Sequence, residues 1–82
     1  MERIGLIAGN GQLPFLFARE ARARGLEVIA VAHRGETDPA LEAEVAAFTW
    51  VRLGQVDRIL RTFQKAGVAR AAMAGGIGRV KA

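Results

Sequence analysis

Arg3-Ile4-Gly5-Leu6-Ile7-Ala8-Gly9-Asn10-Gly11-Gln12-Leu13-Pro14 is the stretch on which the fold turns. Five residues of strand-like character, Ile4 to Ala8, run into a turn bearing two glycines. The turn runs into a helical pattern with Pro14 near its first position, where a missing N–H costs nothing. Glycines allow a tight turn and close approach of the backbone to a ligand. The free N–H groups at the start of the helix point at negative charge. A second cluster, Gly75-Gly76-Ile77-Gly78-Arg79, follows the last apolar run. Glycine-bearing turns after two strands suit an anion site, and a phosphate ester is the simplest ligand.

Working outward, strand and helix patterns alternate. Leu13, Leu16, Phe17 and Ala21 recur at helical spacing, and Gly25 ends that helix near Arg24. Val28 to Ala32 is a continuous apolar run, expected of a strand buried on both faces. Asp38 caps a short helix over Pro39 to Glu44. Ala47 to Leu53 reads as a weaker strand. Val56, Ile59, Leu60 and Phe63 form the apolar stripe of another helix, closed by Gly67, and Ala69 to Ala74 is the last strand. The order β-α-β-(α)-β-α-β predicts an α/β fold: a small Rossmann-like three-layer domain with a parallel sheet of about four strands, in the order 3-2-1-4. In that order the turns after strands one and four edge one crevice, where such sheets bind ligands.

The bulk numbers fit one small domain. The chain has 82 residues, 51% hydrophobic and 24% charged, and no cysteine. A disulfide framework, a thiol nucleophile and a thiolate metal site are therefore excluded, and a reducing cytoplasm is the expected compartment. No apolar run approaches the ~20 residues of a membrane span. Ten of the twelve basic residues are Arg, and the net charge is +4. Arg favours bidentate contacts to phosphate or carboxylate. The charges are interspersed, however: Arg19, Arg22 and Arg24 lie beside Glu20 and Glu27. Few aromatics accompany them, which argues against nucleic acid as a partner.

Each candidate motif has a plainer alternative. Gly9-Asn10-Gly11 matches the start of the dinucleotide fingerprint, yet Pro14 stands where its third glycine belongs, and Glu36 is the nearest candidate for an acidic ribose ligand after strand two. The turn is thus a ligand loop or a structural β–α connection. Gly75-Gly76-Ile77-Gly78-Arg79 is a phosphate nest anchored by Arg79, or a hinge. His33, the single histidine, reads as a surface or satisfied polar residue. With no serine in the chain there is no serine triad. Asp38 and Asp57 read as helix-start residues, and nothing is spaced as a metal site. Trp50 and Phe48 suit core or domain-interface packing. The chain therefore offers binding groups, namely Gly9, Asn10, Gly11, Gln12, Gly75, Gly76, Gly78 and Arg79, and no catalytic constellation.

The segment Ile4 to Pro14 resembles the opening of the bacterial UDP-2,3-diacylglucosamine pyrophosphatases of the I type, enzymes of lipid A synthesis. Asp38-Pro39-Ala40-Leu41 is similar to the same family. So are Trp50 with Leu53-Gly54-Gln55-Val56, Lys65-Ala66-Gly67-Val68, and Met73-Ala74-Gly75-Gly76-Ile77-Gly78-Arg79. Together these cover nearly the whole chain in order. The resemblance implies a magnesium-dependent hydrolase that splits UDP-2,3-diacylglucosamine into UMP and 2,3-diacylglucosamine 1-phosphate. It implies two domains, with the catalytic aspartate and the metal ligands in the carboxyl-terminal one. On that reading residues 1–82 are the amino-terminal α/β domain of a longer protein, inactive alone, holding no magnesium itself. The expected partners are the nucleotide-lipid substrate, the second domain and a second copy in a homodimer. The expected location is the cytoplasm, with peripheral contact at the inner face of the inner membrane. Two rival readings are a non-hydrolytic dinucleotide- or ligand-binding module and a structural or dimerisation domain.

Overall fold

A computed structural model describes residues 1–77 of the chain. Strand β1 (Arg3–Ala8) leads to helix α1 (Leu13–Ala23), then to β2 (Glu27–His33). A 3-10 turn (Pro39–Glu44), β3 (Ala47–Val51), α2 (Val56–Lys65) and β4 (Arg70–Ala74) follow. The strands form one parallel sheet in the order β3-β2-β1-β4, as the alternation predicts. β1 and β2, the two central strands, pair from Arg3–Glu27 to Ala8–Ala32. β2 is buried from Val28 to His33, which is why it reads as a continuous apolar run.

Side chains alternate across the sheet and supply two cores. On one face Leu6, Ala8, Val28 and Ala30 pack under Phe15, Ala18 and Ala21 of α1 and under Leu41 of the 3-10 turn. On the other, Ile29, Val31 and Val51 pack with Phe63 of α2. Asp38 caps the 3-10 turn as its position predicts, accepting the Ala40 N–H at 2.9 Å.

The helical stripes differ from the expected ones. α1 buries Pro14, Phe15, Ala18 and Ala21, while Leu13 and Leu16 are exposed and Phe17 is half-buried. Alanines let the helix lie close on a sheet whose facing residues include Ala8 and Ala30, so size complementarity outranks hydrophobicity in choosing the face. Leu13, Leu16 and Phe17 instead line an open groove of about 720 Å³ between α1 and β4, with Met73 on its far side. In α2 the stripe is narrower than its sequence suggests: Phe63 is buried and Ile59 half-buried, but Val56 and Leu60 are exposed. β3 ends at Val51 rather than Leu53, because Arg52 already turns the chain, with its N–H donated to Gln55 Oε1 at 2.7 Å.

Candidate functional site

All four strands point their carboxyl ends at one edge, and β1 and β4 are neighbours there. The order therefore reverses at β1, and the two glycine-bearing turns meet. They do more than meet. The Gly9 N–H donates to the Ala74 carbonyl at 2.8 Å, and the Asn10 N–H to the Gly76 carbonyl at 2.7 Å. The Gly76 N–H returns to Asn10 Oδ1 at 3.1 Å. A side chain at Gly9 would overlap the Gly76 carbonyl, and one at Gly75 would overlap the carbonyl of Asn10. Two of the candidate glycines thus permit contact between loop and loop. The dinucleotide-type reading assigns that freedom to approach of a ligand.

Asn10 is the hinge pin of this edge. Its Oδ1 holds the turn after β4, while its Nδ2 donates to Glu36 Oε1 at 2.9 Å in the loop after β2. One amide therefore ties three loops together. Glu36, the nearest acid after strand two, spends one oxygen on this tie. Behind it, the Thr37 hydroxyl donates to the Ala8 carbonyl at 2.8 Å and accepts the His33 N–H at 2.8 Å. His33 Nδ1 lies 2.9 Å from the same carbonyl. His33 and Thr37 are both buried, and no buried side-chain polar atom lacks a partner among the described residues. His33 is thus a satisfied core histidine that seals the end of β1.

What remains open to a ligand is the outer half of the first turn. Gly11 has φ of +80° and open space on its Cα, and Gln12 precedes α1 as its exposed N-cap without a side-chain cap bond. The N–H groups of Gly11 and Gln12 have no acceptor among the described residues. They sit at the positive end of α1, whose first turn carries no acid. Gly78 and Arg79 lie outside the described residues.

The LpxI N-terminal domain family model matches residues 3–82. The chain belongs to this family. No curated protein matches it. Membership in the LpxI N-terminal domain family agrees with the resemblance carried by Ile4 to Pro14, and it ties the chain to lipid A biosynthesis.

Among the described residues, no three His, Cys, Asp or Glu side chains come together to hold a metal ion. Magnesium therefore has no such cluster to occupy among the described residues. Trp50 stacks edge-on against Phe48 at 5.1 Å between centroids, and the Arg34 guanidinium lies 5.6 Å over its ring. No helix among the described residues is long and apolar enough to cross a membrane.

The sequence signals for this clasp of the two turns admit another reading: Asn10 reads as a ligand contact, whereas its amide is engaged on both sides by protein. Thr37 gave no signal, being one threonine in a polar loop.

Proposed function

We propose that this chain is the substrate-binding amino-terminal domain of a UDP-2,3-diacylglucosamine pyrophosphatase. The full protein would cleave the pyrophosphate to UMP and 2,3-diacylglucosamine 1-phosphate, and would carry its magnesium and catalytic aspartate in a second domain. The observation that carries this reading is the N–H pair of Gly11 and Gln12. It lies at the positive end of α1, where the strand order reverses, in a chain of the LpxI N-terminal domain family.

In this reading the eight candidate residues divide by role. Gly11 and Gln12 face a phosphate through backbone N–H groups. Gly9, Asn10, Gly75 and Gly76 hold that turn rigid, so its donors need no reorganisation when an anion arrives. Gly78 and Arg79 supply the following backbone and a guanidinium. Glu36, fixed beside Asn10, sets a negative charge on the β2 side, which directs an anion toward α1 rather than toward β2.

The test is an amide NMR titration of the 82-residue chain with UMP, 2,3-diacylglucosamine 1-phosphate below its aggregation limit, and NAD. Selective shifts at Gly11 and Gln12 with UMP or the lipid phosphate are expected. Shifts with NAD alone would replace this reading with a dinucleotide module, and silence with all three would refute phosphate binding by this chain alone.

A further inference from the structure

The cations among the described residues fall into two groups. Arg3, Arg19, Arg22, Arg24 and Arg70 each have a carboxylate in salt-bridge range, supplied by Glu27, Glu44, Glu20 and Glu2. Arg34, Arg52, Arg58, Arg61 and Lys65 have none among the described residues. Arg34 lies over the Trp50 ring, and the other four lie on one continuous stretch, the turn after β3 and α2, whose single acid is Asp57.

The same stretch leaves its aliphatic side chains in water. Leu53 is 68% exposed, Val56 60% and Leu60 53%. Val56 and Leu60 are one helical turn apart and share a side of α2, while Ile59 and Phe63 anchor the helix to the sheet. Arg58 and Arg61, also one turn apart, border the same open hollow as Val56 at the start of the helix. Exposed leucine and valine beside unpaired arginines is the pattern of a surface that meets anionic head groups with its charges and the acyl boundary with its aliphatics.

We propose that the β3–α2 turn and the outer side of α2 form a docking surface for an anionic lipid bilayer. Charge complementarity favours this occupant: four unpaired cations against one acid, with three exposed aliphatic side chains on the same stretch. A single-stranded nucleic acid would need exposed aromatic platforms. Phe63 is buried against the sheet, and Trp50 is stacked with Phe48 on the opposite face. The geometry also has a direction. The turn carrying Leu53 leaves the carboxyl end of β3, the edge at which Gly11 and Gln12 present their N–H groups. A bilayer held by this turn lies alongside the candidate anion site. The surface stands independently of the substrate assigned to that site.

Vesicle flotation of the 82-residue chain tests the proposal, using phosphatidylcholine vesicles and vesicles with an equal share of phosphatidylglycerol. The chain should float with the mixed vesicles and not with phosphatidylcholine alone. Each neutralised arginine should weaken partitioning by about fivefold, so Arg58→Gln with Arg61→Gln lowers it by about 25-fold. Leu53→Ser with Val56→Ser should lower it further, while Arg22→Gln with Arg24→Gln on α1 leaves it unchanged. Hydrogen exchange on the unmodified chain gives a second readout that needs no variant: mixed vesicles should slow exchange over residues 52–61. Equal flotation with both vesicle types would overturn the proposal. So would full flotation of the Arg58→Gln, Arg61→Gln protein. Capture of an oligouridine strand by this stretch in place of vesicles would assign the surface to nucleic acid instead.

Discussion

Replacing Gly9 by alanine should cost far more than replacing Gly11, although only Gly11 has a left-handed backbone. Gly9 has ordinary φ, but its added methyl would overlap the Gly76 carbonyl, which is backbone and can yield only if the turn after β4 moves away. That movement breaks the 2.8 Å bond from Gly9 to Ala74 and the 2.7 Å bond from Asn10 to Gly76. Each is worth about 1 kcal/mol net, and relieving the overlap adds about 1–3 kcal/mol. The loss of about 3–5 kcal/mol is a large part of the ~4–12 kcal/mol expected for a chain of this size. At about 4–8 °C per kcal/mol, the melting temperature should fall by more than about 12 °C. Gly11→Ala meets no atom within 4 Å and pays the left-handed penalty alone, about 1–2 kcal/mol. Thermal unfolding by circular dichroism compares the two, and amide spectra report whether Asn10 and Gly76 have separated. A Gly9→Ala protein melting within about 2 °C of the parent, with the Asn10 and Gly76 resonances unmoved, would refute the steric argument. So would a Gly11→Ala protein less stable than Gly9→Ala.

Three further outcomes follow from burial and bonding. Leu41→Ala removes a fully buried side chain from under the 3-10 turn and should cost about 2–4 kcal/mol in urea unfolding, with an unchanged denaturant slope. Thr37→Val takes the acceptor from the buried His33 N–H and one donor from the Ala8 carbonyl, for a loss of about 1–3 kcal/mol; a variant as stable as the parent would show that the seal on β1 contributes nothing. Glu2→Gln breaks the ion pair with Arg70, which is exposed on both sides, and should change stability by less than about 0.5 kcal/mol at any salt concentration.

The clasp explains why this edge can be rigid in a sheet of only four strands. β4 is an edge strand, and its burial is slight: Arg70, Ala71 and Met73 are exposed. Apart from the turn-to-turn bonds, its backbone pairs with β1 alone. Asn10 therefore links the fastening of β4 to the candidate anion site, because the residue whose amide holds the turn after β4 directly precedes Gly11 and Gln12.

Local chemistry alone determined the elements and their order. The β1 run, the proline at the start of α1, the unbroken apolar β2, the Asp38 cap and the alternation of patterns each depend on residues near one another in the chain. A parallel sheet with right-handed crossovers follows from them, and the expected order 3-2-1-4 is the one the structure adopts. The family was legible as well, because its motifs are short and contiguous, from Ile4 to Pro14 and from Met73 to Arg79. Only the tertiary structure decided which side of each helix is buried and what the glycines are for. Periodicity counts Leu13 and Leu16 as core, but the distance between helix and sheet is set by Ala8, Ala18, Ala21 and Ala30 together, and these come from three elements. Gly9 and Gly75 are 66 residues apart in the chain, and each is a glycine because of the other's loop. A sequence read locally shows that the backbone is free to approach something at those positions; what it approaches is fixed by the pairing of β1 with β4.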